Sequence, residues 1–122
     1  MKKILIVEDE QSLREPLVKK FSGENFEVLQ AEDGEKGLKI AKKEHPDLIL
    51  LDILMPKMDG MTACKKLRED EWGKDVPIIF LTNLNDAQQV TDATEAGVYD
   101  YLVKSDWRIE DVVKKVREKL GM

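Results

Sequence analysis

Five polar residues in this chain close short apolar runs: Glu8 and Asp9 follow Ile4–Val7, Asp52 follows Leu48–Leu51, Thr82 follows Ile78–Leu81, and Lys104 follows Leu102-Val103. Brought together, three carboxylates, a hydroxyl and an ammonium can hold a divalent cation beside a phosphoryl group. For Glu8-Asp9 alone, a helix N-cap is an equally ordinary reading. Asp52 is harder to explain away. It lies between Leu48–Leu51 and Ile53-Leu54-Met55-Pro56, where desolvating an ionised carboxylate is costly. Lys104, after Tyr101-Leu102-Val103, is the same anomaly with the opposite sign. A purely structural Lys104–Asp52 pair is the competing explanation, and a weak one, because buried ion pairs seldom add net stability.

Two carboxylates about 4 Å apart repel by roughly 4 kcal/mol at an effective dielectric near 20, so clustered acids either keep a proton or take a cation. All-oxygen donors with room for water favour Mg²⁺ over Zn²⁺. We expect Asp9 and Asp52 to bind Mg²⁺ directly, the backbone carbonyl of Leu54 to add a third oxygen, and Glu8 to hold a coordinated water. With the cation and Lys104 neutralising an incoming phosphoryl group, Asp52, expected to be ionised at neutral pH without a base, serves as nucleophile. The product is an acyl phosphate.

Such convergence requires elements that bring distant run ends to one edge. In an open α/β sheet, ligands collect at the carboxyl ends of parallel strands. Apolar runs predict strands near 3–8, 26–31, 47–51, 77–82 and 99–103, and helical patterns fall near 10–22, 35–44, 59–70, 86–96 and 108–120. Gly23, Asp33-Gly34, Pro46, Asp59-Gly60 and Gly97 mark breaks between them. Leu13, Leu17 and Phe21 recur every four residues, and Met61, Cys64 and Leu67 every three, so both helices should turn one apolar face to the sheet. Pro16 predicts a kink or a late start in the first helix. His45, the single histidine, precedes Pro46 at a helix–strand junction and is expected to be a surface cap; Cys64 should be a small core residue.

The 122 residues make one domain, 1–122, with 42% hydrophobic residues to build a core. The 37% charged residues and formal net charge of −5 describe an acidic surface without a basic stripe, which points away from direct nucleic-acid binding. One cysteine excludes an internal disulfide and fits a reducing compartment. Met1-Lys2-Lys3 leads into four apolar residues, too few for a signal-peptide core or a membrane span, so a cytoplasmic location without membrane attachment is expected. The last predicted helix ends just before Gly121-Met122, which fits a stand-alone protein and a segment of a longer one equally well.

Through Ile4-Leu5-Ile6-Val7-Glu8-Asp9, Leu50-Leu51-Asp52-Ile53-Leu54-Met55-Pro56, Met58-Asp59-Gly60, Thr82 and Asp100-Tyr101-Leu102-Val103-Lys104, the chain resembles the receiver domain of two-component response regulators. The resemblance runs over essentially the whole sequence. It implies a flavodoxin-like (βα)5 fold, a three-layer α/β sandwich around a parallel five-stranded sheet of order 2-1-3-4-5. It also implies a phosphorylation-dependent switch in a phosphorelay. A sensor histidine kinase or phosphotransfer protein would supply the phosphoryl group from a phosphohistidine, Asp52 would accept it, and small acyl or amido phosphates could substitute. Thr82 resembles the hydroxyl that moves toward the phosphoryl group and Tyr101 the aromatic that turns inward behind it. The implied readout face for a downstream effector protein is the helical stretch 86–96, the fifth strand and the last helix, including Gln88, Gln89, Tyr101, Val103 and Trp107.

Two residues depart from that family. Ser105 stands where a proline usually follows the lysine through a cis peptide, and without proline a cis bond costs about 2.5–4 kcal/mol. Asn83 stands beside Thr82 where small residues are common, and its amide is expected to modulate the lifetime of the phosphorylated state; the Leu54 side chain is expected to modulate water entry. Three other classes compete. A haloacid dehalogenase-type phosphatase generally has a second aspartate two residues after the nucleophile, where Leu54 cannot donate a proton. A flavodoxin needs a Ser/Thr/Gly-rich phosphate cradle after the first strand, where Glu8-Asp9-Glu10 stands instead. A receiver-like interaction module that is never phosphorylated leaves the complete acceptor set without a purpose.

Overall fold

The computed structural model describes residues 1–82, 95, 100–104 and 108–122. Among them, β1 (Lys3–Val7), α1 (Gln11–Gly23), β2 (Glu27–Ala31), α2 (Gly34–Glu44), β3 (Leu48–Asp52), α3 (Gly60–Glu69), β4 (Ile78–Thr82), β5 (Asp100–Val103) and α4 (Ile109–Lys119) follow in chain order. The five strands form one parallel sheet of order β2-β1-β3-β4-β5, as the resemblance implied. Each described element lies within about a residue of its predicted span. The predicted helix 86–96 lies outside the described residues, apart from Glu95.

Strand side chains alternate between faces, and the sequence uses both. Leu5, Val7, Ile49, Leu51, Ile78 and Phe80 pack on one side with Cys64 and Leu67 of α3 and Ala41 of α2. Ile4, Ile6, Leu48, Leu50, Ile79 and Leu81 pack on the other with Leu17 and Phe21 of α1 and Val112 and Val116 of α4. Two apolar faces require two helical layers. The three-layer sandwich therefore follows from runs that are apolar throughout rather than alternating.

Register then sets the site. Val7 pairs with Leu51, so Glu8 and Asp52 each follow one residue beyond the last pair of neighbouring strands or stand at its end. Both positions share the parity of Ile6 and Leu50, which puts their side chains on the same side. Asp52 in turn pairs with Leu81, and Thr82 with Val103, so Thr82 and Lys104 arrive at the same edge. The strand order reverses direction between β1 and β3, and a crevice opens at such a switch point.

The loops are secured by side-chain caps. Asp33 accepts from the Lys36 amide at 2.8 Å and Asp59 from the Thr62 amide at 2.7 Å, each occupying a donor that the first helical turn leaves unpaired. His45 caps α2 in the left-handed region (φ 47°) and stacks on Trp72 with ring centroids 4.6 Å apart. Of the two outcomes expected at Pro16, the late start does not occur: α1 runs from Gln11 through Pro16 to Gly23. Pro16 and Ser12, whose carbonyl loses its partner, are both exposed, so water can replace the missing bond.

Candidate functional site

Glu8 and Asp9 leave β1 under tight control of their backbone. The Glu8 amide donates to the Ala31 carbonyl at 3.1 Å. Arg14, one turn into α1, donates Nη1 to the Glu8 carbonyl at 2.7 Å and to the Asp9 carbonyl at 3.4 Å, while its Nε reaches Gln30 at 3.1 Å. The Glu8 side chain, fully buried, accepts the Glu10 amide at 3.2 Å through Oε2. Arg14 thus fixes the acidic turn by its carbonyls and leaves the carboxylates of Glu8 and Asp9 facing Asp52.

Lys104 enters from β5, its amide donating to the Thr82 carbonyl. Its ammonium pairs with Glu8 Oε1 and lies 3.2 Å from Asp52 Oδ2, and all three side chains are at most 5% exposed. Burial pushes the Asp52 carboxyl up to about 8, reinforced by hydrogen bonding and repulsion from Glu8 and opposed by Lys104. In the metal-free protein, burial and the neighbouring Glu8 thus favour the protonated form of Asp52, one of the two outcomes open to clustered acids. For Lys104 burial works against the charge, yet the Glu8 and Asp52 carboxylates outweigh it and hold the amine above its ordinary range. The ammonium is a fixed positive charge.

One oxygen each from Glu8, Asp9 and Asp52 lies within 4.8 Å of the others. Three hard oxygen donors, with Asp9 partly exposed toward solvent, fit a cation that retains several waters, which is the habit of Mg²⁺. A divalent ion there would also replace the proton that burial and the nearness of Glu8 favour on Asp52. Nothing in the donor set favours a softer metal, since no sulfur or imidazole stands among these ligands.

The profile of the response regulator receiver domain matches residues 4–117. This chain belongs to that family. A protein named DNA-binding dual master transcriptional regulator RpaA, from Synechocystis sp. (strain ATCC 27184 / PCC 6803 / Kazusa), is 37% identical over 98% of this chain and 49% of its own length. Another, named probable transcriptional regulator ycf27, from Porphyridium aerugineum, is 42% identical over 93% of this chain and 49% of its own. The receiver domain spans about half the length of these curated relatives. Among solved structures, the Vibrio cholerae chemotaxis protein CheY4 superposes with a TM-score of 0.91 at 30% identity, covering 97% of this chain and 98% of that one.

Within this receiver domain, the predicted residues Glu8, Asp9, Asp52 and Lys104 meet at one edge, and Thr82 is buried at the end of β4. Tyr101, on β5 beside Phe80, is 37% exposed, and the Leu54 side chain is 57% exposed next to the site. Asn83, Ser105, Trp107, Gln88 and Gln89 lie outside the described residues, and with them the Lys104–Ser105 peptide. Sequence reasoning missed Arg14, whose position five residues after Asp9 was the one available signal. It also missed the direct Glu8–Lys104 pair, having paired Lys104 with Asp52 alone. Among the described residues no helix is long and apolar enough to cross a membrane.

Proposed function

We propose that this receiver domain is a phospho-acceptor switch of a two-component phosphorelay, with Asp52 as the acceptor. The carboxylate attacks the phosphorus of a phosphohistidine presented by a sensor histidine kinase or phosphotransfer protein. The P–N bond breaks, the imidazole keeps the electron pair and takes a proton, and an aspartyl phosphate remains. Asp9 and Asp52, the Leu54 backbone carbonyl and Glu8 through a water would hold Mg²⁺. When bound, that ion supplies charge neutralisation for the phosphoryl oxygens and for the carboxylates themselves. Lys104, already between Glu8 and Asp52, pairs with a phosphoryl oxygen, and Thr82 turns its hydroxyl toward another.

The single observation that supports this reading most is a buried carboxylate with an ammonium 3.2 Å away and two further acids close by, an arrangement costly to the fold unless it serves chemistry. The domain's chemistry is confined to its own phosphorylation and dephosphorylation. Loss of the Thr82 hydroxyl to the phosphoryl group frees the space behind it for Tyr101, and the stretch 86–96, β5 and α4 carry the change to a downstream effector protein. Coupling of about 1–3 kcal/mol suffices for roughly 5- to 150-fold changes in partner affinity. The relatives named as transcriptional regulators are about twice the matched length. We assign any DNA contact to the output such a domain controls rather than to its own acidic surface, and place the protein in the cytoplasm.

Incubation with acetyl phosphate and Mg²⁺, followed by intact-mass measurement, tests the acceptor. Wild type should gain one phosphoryl group and Asp52→Asn none; equal modification of both would dismiss Asp52.

A further inference from the structure

The loop that follows Asp52 is held from a direction that phosphoryl chemistry does not explain. Its base is closed by Gly60, whose amide donates to the Ile53 carbonyl at 2.7 Å. At its tip Lys57 adopts φ 67°, and the Met58 amide donates across it to the Pro56 carbonyl at 2.7 Å. A three-residue turn with a left-handed centre is rare and strained for a residue that carries a Cβ, so it persists only where surroundings enforce it.

Those surroundings are the first residues of α2. Gly34 approaches so closely that a Cβ there would lie 2.1 Å from the Met58 carbonyl oxygen and 2.9 Å from its carbon. Asp33, 2% exposed, caps α2 through Oδ1, and its Oδ2 lies 3.9 Å from Lys57 Nζ. Only Met55, Pro56 and Lys57 separate Met58 from Leu54, and Pro56 has a fixed φ. A displacement at Met58 therefore has little slack in which to dissipate before it reaches Leu54.

Resting on the Mg²⁺ reading above, we propose that Asp33 and Gly34 are positioning residues for the cation: they clamp the Lys57 turn and so set the Leu54 carbonyl for coordination. Gly34 is required because any side chain would push the turn away. By the reciprocity of linked equilibria, occupation of the cation site must in turn steady the start of α2.

Calorimetric Mg²⁺ titration of the full chain tests this, with thermal unfolding in EDTA measured beside it to separate folding from binding. Gly34→Ala should weaken Mg²⁺ binding about tenfold, the lower end of what removing a support behind a metal ligand does. Gly23→Ala, whose Cβ meets nothing within 4 Å, should bind as wild type does. In wild type, saturating Mg²⁺ should slow hydrogen exchange at the Lys36 and Gly37 amides, both of which donate to Asp33. A folded Gly34→Ala protein with wild-type affinity would overturn the clamp. Exchange at those two amides that ignores Mg²⁺ would do the same, and it can be measured even where the variant does not fold. A wild type that binds no Mg²⁺ would remove the cation reading itself and the clamp with it.

Discussion

Lys104 and Asp52 meet at 3.2 Å across the C-terminal edge of the sheet, and the same ammonium pairs with Glu8 on its other side. Replacing Lys104 by methionine leaves the buried Glu8 carboxylate and its neighbour Asp52 without their ammonium. Breaking a buried pair in this way typically costs about 3–5 kcal/mol. We expect a loss of that order in urea titrations of metal-free protein. Glu8→Gln in the Lys104→Met background should recover part of it, giving a double-mutant cycle with an interaction energy well away from zero. Strict additivity would show that the two residues do not share one charge network.

Metal-free stability should also fall with rising pH through Asp52. The unfolded carboxyl titrates near the ordinary value of about 4, whereas burial and Glu8 hold the folded one near 8. Below the lower value both states are protonated and the group contributes its full share. Between the two, the folded chain binds the extra proton, so stability declines as pH rises and levels off above the upper value. Unfolding free energies measured in EDTA from acid to mildly alkaline pH should therefore fall for wild type relative to Asp52→Asn. Saturating Mg²⁺ should flatten the difference. Parallel curves for the two metal-free proteins would show that Asp52 is not perturbed.

The strands that end at the site were legible because the runs before Glu8, Asp52 and Thr82 are apolar throughout: no other position in Leu48–Asp52 is polar. Site residues found that way, Glu8, Asp9, Asp52, Thr82 and Lys104, needed only the rule that parallel strands share a functional edge. The strand order was not available from the runs and came through family resemblance. Arg14 was illegible for a physical reason: an arginine on an amphipathic helix looks the same whether it meets water or two backbone carbonyls. Asp33 looked like a turn residue, and a turn it is, but nothing local shows that it is 2% exposed beneath a loop 24 positions later. The upward shift of Asp52 comes first from burial, which its apolar neighbours signalled, and then from the approach of Glu8, which only the fold sets.

At the opposite edge of the sheet, Asp100 joins β5 to α4, accepting Lys119 at 2.7 Å with Lys115 at 3.2 Å. Hydrogen bonding to Lys119 is the chief reason its carboxyl lies below the usual range, with burial opposing and Lys115 adding to it. A depressed carboxylate stabilises the fold above its unfolded value of about 4 and loses that contribution as pH falls through the lower folded value. The group is partly exposed, so solvent screening limits the effect to about 1 kcal/mol or less. Asp100→Asn should cost that much near neutral pH, and the difference should vanish in strong acid. A gap that persists there would assign the loss to packing instead.

Gly60 lies directly behind Asp52, the proposed acceptor. A Cβ at this position would sit 2.0 Å from the Asp52 carbonyl oxygen and 3.0 Å from the Ile53 Cα, both of them backbone and neither able to swing aside. The helix α3 begins here, capped by Asp59, so moving Gly60 outward also disturbs that cap. Overpacking of a buried contact typically costs about 1–3 kcal/mol, and the contact in question is the peptide that carries Asp52. Gly60→Ala should therefore lower the urea midpoint and, in the fraction that stays folded, slow acetyl phosphate labelling of Asp52 well beyond the change in folded population. The second effect separates displacement of Asp52 from simple instability: labelling that tracks only the folded fraction would show that the close approach supports the fold and leaves the acceptor where it was.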